Sequence, residues 1–136
     1  MYLEKRQIIP IYKIGFIIVL SDEFEQFRDK YNLQDAPGNN FGTTYDTSII
    51  TKDDPTQAIK GIIIYLNPIS EYNFLNENVI VHECFHAADY VFRHIGTAID
   101  DHTCEPFSYL NGWIAEQVFL FLKESKIEMN LKFHEI

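Results

Sequence analysis

The stretch Gly61-Ile62-Ile63-Ile64-Tyr65-Leu66, closed at once by Asn67-Pro68, decides the fold class. A short, unbroken apolar run rich in β-branched residues reads as a strand buried on both faces, and the Asn-Pro pair ends it. Such a strand needs partners. Upstream, beyond the break at Asp53-Asp54-Pro55, residues 43–51 form a second β-rich segment and a candidate sheet edge. Residues 8–20 read as a third strand, with Pro10 marking its beginning or an edge position. Between these, Ser21 offers an N-cap to a short amphipathic helix carrying Phe24, Phe27, Tyr31 and Leu33, and residues 34–40, with Pro37-Gly38-Asn39-Asn40, have turn chemistry.

Downstream the period changes. Residues 76–95 predict a mostly buried helix, with Asn73 or Asn76 as N-cap and Gly96 as its stop. Ile80, Cys84, Ala87, Val91 and Ile95 make one apolar line, and Val81, Phe85, Ala88 and Phe92 a second beside it. Residues 104–123 predict another helix, with Pro106 in its first turn and Phe107, Leu110, Ile114, Val118 and Phe121 on one face. The tail, 124–136, is left to a short strand or loose packing. The expected fold is α+β: a mixed sheet of about three strands with one short helix, then two packed helices, in a single domain spanning residues 1–136.

Composition narrows the function. A chain of 136 residues, 46% hydrophobic and 15% aromatic, is long enough for one core and apolar enough to fold. Eleven Lys and Arg against twenty Asp and Glu give a net charge of −9, the wrong sign for gripping phosphate backbones or anionic membranes. The apolar run 14–20 stops at Ser21-Asp22-Glu23, short of the roughly 20 residues that span a bilayer. No secretory leader pattern is present, and Cys84 and Cys104 allow one disulfide at most, so a reducing, cytoplasmic setting is expected. There is no internal repeat and no low-complexity tract.

The first of the two long helices contains His82-Glu83-Cys84-Phe85-His86, an H-E-x-x-H pattern. Histidines at i and i+4 stand one turn apart on one helical face, where two imidazoles can converge on a single ion. A glutamate directly after the first histidine lies beside that ion, placed to take a proton from a water the metal has acidified. Metal ligation competes with the plainer alternative of hydrogen-bonded core histidines, and two histidines plus a carboxylate in one buried turn need one or the other.

A catalytic zinc site generally takes three protein ligands. Asp89 and Phe92 occupy the positions where a metzincin has its glycine and third histidine, which excludes that class. Glu105 follows His86 after eighteen intervening residues. The helix beyond His86 rises roughly 13 Å, and the loop through Thr103 is long enough to return that distance, so Glu105 is within reach as third ligand.

These residues resemble the active-site core of the gluzincin zinc metallopeptidases, H-E-x-x-H followed by about eighteen or nineteen residues and a ligating Glu. The longer stretches 82–90 and 105–113 also look like small metallopeptidases encoded by bacteriophages, whose setting is a bacterial cytoplasm. The resemblance implies that His82, His86 and Glu105 ligate Zn²⁺ and that Glu83 is the general base, acting on a peptide or protein substrate laid along an exposed sheet edge such as 43–51. Full gluzincins carry a further domain that stabilises the oxyanion, for which this chain has no room.

Tyr109, one turn beyond Glu105, is the candidate oxyanion donor here, with a core tyrosine as the alternative. Asp89 is a candidate acceptor for a ligand histidine, with a solvent-facing role as the alternative. Gly96-Thr97-Ala98-Ile99-Asp100 resembles part of the aspzincin pattern, and Asp100, Asp101 and His102 stand as alternative ligands. Cys84 and Trp113 read as core, Cys104 as either core or ligand, and Gly112 as a point of close helix approach. The competing function is a metal-stabilised structural or interaction protein that hydrolyses nothing, such as a phage assembly or host-interaction factor. A metal-free domain is the third reading.

Overall fold

The computed structural model describes residues 1–33, 42–50, 56–68, 75 and 77–127. The elements run β1 (Tyr2–Ile9), β2 (Ile14–Ser21), α1 (Phe24–Tyr31), β3 (Gly42–Ile50), β4 (Ala58–Leu66), α2 (Glu77–His94) and α3 (Cys104–Glu124). The fold is α+β, with a four-stranded mixed sheet in the order β1-β2-β4-β3 and three helices.

The sheet is built around its two apolar runs. β2 and β4 pair in parallel, Phe16 opposite Ile62 and Leu20 opposite Leu66, and every β2 residue is buried. β1 and β3 flank them antiparallel, with alternating or partial burial. Centre strands covered on both faces read as continuous hydrophobic runs, and edge strands keep their charges. Phe16, Ile18, Leu20, Ile62, Ile64 and Leu66 face one core, shared with α2 and α3. Ile17, Val19, Ile63 and Tyr65 face the other, closed by Phe27 of α1 and by Ile49 of β3. Gly15 and Gly61 are paired in register, and Ile49 lies over both; a Cβ at Gly61 would stand 2.0 Å from Ile49 Cδ1.

The segment 8–20 is not one strand. Pro10 to Lys13 form the turn of a hairpin, with Lys13 N–H donating to the Ile9 carbonyl at 3.0 Å and Ile11 and Lys13 at φ 70° and 54°. Pro10, which lacks the N–H a ladder requires, marks that turn and not a strand beginning. The preceding charged residues Glu4, Lys5 and Arg6 lie in β1, an edge strand beyond the three expected, where period-2 alternation is masked by their polarity.

Ser21 is not the cap of α1. Its hydroxyl accepts at 2.9 Å from the N–H of Glu23, the residue that immediately precedes the helix, and its carbonyl accepts from Tyr65 Oη–H at 2.8 Å. Gly96 does stop α2: at φ +76° it lets its own N–H and that of Thr97 return to Arg93 and Phe92. The expected N-caps Asn73 and Asn76, the turn 34–40 and most of the tail lie outside the described residues. No helix is long and apolar enough to cross a membrane among the described residues.

Candidate metal centre

α2 packs against β3, β4 and α3, which divides its circumference into an inner side and an outer one. Ile80, Cys84, Ala87, Ala88, Val91 and Phe92 are buried against the sheet and α3. The Cys84 thiol is among them, and burial, followed by the nearby Glu83 charge, pushes its pKa up to about 12. Both cysteines are free, Cys84 buried and Cys104 exposed. The second apolar line departs from the sequence expectation, because Val81 and Phe85 are about half exposed. Helix α3 leaves them partly uncovered; its Phe107 sets its ring edge-on to Phe85 and Phe92.

His82 and His86 stand on the outer side, next to that apolar rim, and the His82 side chain is 64% exposed. Their Nε2 atoms approach to 3.1 Å, with the rings nearly perpendicular. Two imidazoles sharing one tetrahedral Zn²⁺ at about 2.05 Å would hold their nitrogens about 3.3 Å apart. The pair therefore has the bite of a two-histidine ligand set, and donor chemistry that suits zinc.

Glu83 lies between the histidines and β3 and is only 6% exposed. A buried carboxylate requires a donor, and it has one: Thr44 Oγ1–H lies 2.5 Å from Glu83 Oε2. Its other oxygen, Oε1, is 4.0 Å from His82 Nε2. Gly42 makes the room, since a Cβ there would stand 3.0 Å from Glu83 Cγ and 2.9 Å from Val79 Cγ1. An open groove of about 280 Å³ results, lined by Gly42, Asn78, Val79, His82 and Glu83. Farther along the same edge, His94 Nε2 meets Asp46 Oδ1 at 2.5 Å, so a second polar contact ties α2 to β3.

The remaining candidates are placed elsewhere. Glu105 is exposed in the first turn of α3, and among the described residues no three His, Cys, Asp or Glu side chains gather closely enough to hold an ion. Tyr109 is 77% exposed and lines a separate apolar cleft of about 490 Å³ with Pro10, Ile11, Tyr12, Pro106 and Trp113. Asp89 pairs with Arg93 at 2.8 Å, one turn along α2. Asp100 Oδ1 accepts from the N–H groups of His102 and Thr103, which orders the turn before α3. Gly112 is exposed, and among the described residues nothing outside its own helix lies within 4 Å of where its Cβ would be, so none of them makes a close helix approach there. Trp113 packs partly buried against the larger core, with its ring 6.2 Å from Phe16.

Sequence reading found the histidines and the glutamate but missed Thr44, Gly42 and the Asp46–His94 contact. Thr44 and Glu83 are 39 residues apart, and only the pairing of β3 with β4 and the docking of α2 bring them together. No local signal in either segment announces it. No protein-family model, no curated protein and no solved structure matches this chain.

Proposed function

We propose that the protein is a zinc-dependent metallopeptidase, built on a small zincin-like arrangement in which α2 lies beside the edge strand β3 and is followed by α3. The observation that carries this reading is the outer side of α2: two imidazole nitrogens 3.1 Å apart, with an anchored carboxylate one residue away. In this reading His82 and His86 hold the metal through Nε2, and Glu105, exposed in the first turn of α3 and not gathered with them here, would have to close on the pair to serve as third ligand. Bound zinc supplies a Lewis acid that polarises the scissile carbonyl and lowers the pKa of water.

The chain's own groups do the rest. Glu83 takes a proton from the attacking water as its oxygen bonds to the carbonyl carbon. It returns a proton to the amide nitrogen as the C–N bond breaks, so the carboxylate ends as it began. The outer side of β3, which no described strand covers, offers main-chain groups to an extended peptide. Tyr109, lining the other cleft, has no part in this scheme.

Elemental analysis of the purified protein beside His86→Ala and Glu105→Ala tests the centre. About one zinc per chain in the parent, lost in both variants, is the expected result. Glu83→Gln should keep the zinc and stop cleavage of a peptide library. A folded parent that takes up no zinc when it is offered overturns the reading.

A further inference from the structure

Glu83 does not stand free beside the histidines; it sits in a slot made by β3. Gly42 and Thr44 are two residues apart on one strand and therefore present to the same face of the sheet, here the one that meets α2. Gly42 contributes the absence of a side chain, leaving the Glu83 Cγ room to pass. Thr44 contributes a hydroxyl at 2.5 Å from Oε2. The same hydroxyl lies 3.1 Å from the Glu83 carbonyl oxygen, so the carboxylate oxygen is the nearer of its two acceptors. Thr44 pairs with Ile64 of the central strand β4, and its β-branched side chain has few rotamers, so the hydroxyl is fixed by the sheet.

The two carboxylate oxygens are thus differentiated. Oε2 is held by the strand, and Oε1 is turned toward His82. We propose that Thr44 is a positioning residue for hydrolysis: with Gly42 it clamps Glu83 so that Oε1 alone faces the histidine pair and the reacting water. The proposal rests on the peptidase reading, and it assigns to the edge strand a role in orienting the base, separate from its role in holding substrate. A base free to rotate away from the water loses the alignment on which proton transfer depends, and a displacement of about 1 Å can cost roughly 100-fold in rate.

Two measurements on the full chain test it. The first needs no turnover: the melting temperature of metal-free protein, for Thr44→Val alone, Glu83→Ala alone and the two together. Thr44→Val should lower the melting temperature by several degrees when Glu83 is present, because a buried carboxylate loses its donor, and the drop should shrink about twofold or more in the Glu83→Ala background. Independent, additive effects overturn the proposal.

The second measurement uses a fluorogenic peptide selected from a library as cut by the zinc-loaded parent. Thr44→Val should lower kcat roughly 10- to 100-fold with KM and zinc content close to parent, and Thr44→Ser, which restores the hydroxyl, should recover most of it. A Thr44→Val enzyme with parental kcat overturns the positioning role and leaves the peptidase reading standing. A zinc-loaded parent that cuts no peptide overturns both, and the thermal coupling then marks Thr44 as a structural partner of Glu83 only.

Discussion

The inner and outer sides of α2 are one residue apart in sequence and opposite in physical character. Ile80, Cys84, Ala87, Ala88 and Val91 are wholly buried in the larger core, whereas His82 and His86 project into solvent. Packing fixes the first set and leaves the second free of it, so the helix is held in place by residues other than the histidine pair. Glu83 belongs to neither set: it is buried like the first, but against the polar edge of β3. Stability and the proposed metal binding should therefore separate cleanly by substitution.

The largest effect belongs to the inner side. Ile80→Ala removes a wholly buried side chain at the contact between α2 and the sheet and should lower unfolding stability by about 2–5 kcal/mol, read from urea denaturation. His86→Ala, measured on metal-free protein in the same way, should change it by no more than about 0.5 kcal/mol. Equal losses in the two variants would show that the outer side of α2 is packed as tightly as the inner.

The gain from added zinc should follow the outer side instead. A ligand that binds only the folded state at about 100 times its Kd stabilises it by about 2.7 kcal/mol. The parent and Ile80→Ala should both gain in melting temperature when zinc is added, from different baselines, while His82→Ala and His86→Ala gain nothing. A zinc-induced rise that survives both histidine substitutions would place the metal elsewhere.

How much of this was legible in the sequence follows from the range of the interactions. The i, i+4 histidines, the Gly61–Leu66 strand and the Gly96 stop are local, and local periodicity reveals them. The hairpin at Pro10–Lys13 was within reach, but a continuous β-rich reading carried past the proline, and charged residues 4–6 hid the alternation of an edge strand. Val81 and Phe85 look like core by spacing, yet α3 covers only part of that line, and no spacing rule reports where a second helix lies. The Gly42–Thr44 slot is wholly non-local. The gathering of Glu105 and Tyr109 with the histidines was a long-range inference of the same kind, and the fold places Tyr109 in the apolar cleft beside the hairpin turn.

Cysteine chemistry sharpens the inner side further. At mildly alkaline pH a thiol reagent should label Cys104, which is exposed, and leave Cys84 unreacted until the protein unfolds. With the folded Cys84 thiol pushed up to about 12 from 9.0, the unfolded chain releases its proton first. Stability from this group is fully present below about pH 9 and is lost as pH rises from there toward about 12. The melting temperature should therefore fall over that interval, and Cys84→Ala should lack this part of the alkaline slope. Rapid labelling of both thiols in the native protein would show that α2 is not seated as described.

The smallest effect tests the outer surface of α3. Gly112 lies in the middle of a 21-residue helix, exposed, with no atom of the described residues outside its own helix within 4 Å of where a Cβ would stand, so alanine adds no clash with them. It removes the entropic penalty that glycine carries in a helix interior, up to about 1 kcal/mol, partly by restricting the unfolded chain. Gly112→Ala should raise the melting temperature by a few degrees and leave the zinc-induced gain unchanged. A drop would mean that another surface closes on α3 at this point, as the sequence pattern suggests. A rise confirms that the close contacts of α3 run through Phe107, Leu110, Ile114 and Val118, and that its outer side, like that of α2, is available for change without loss of the fold.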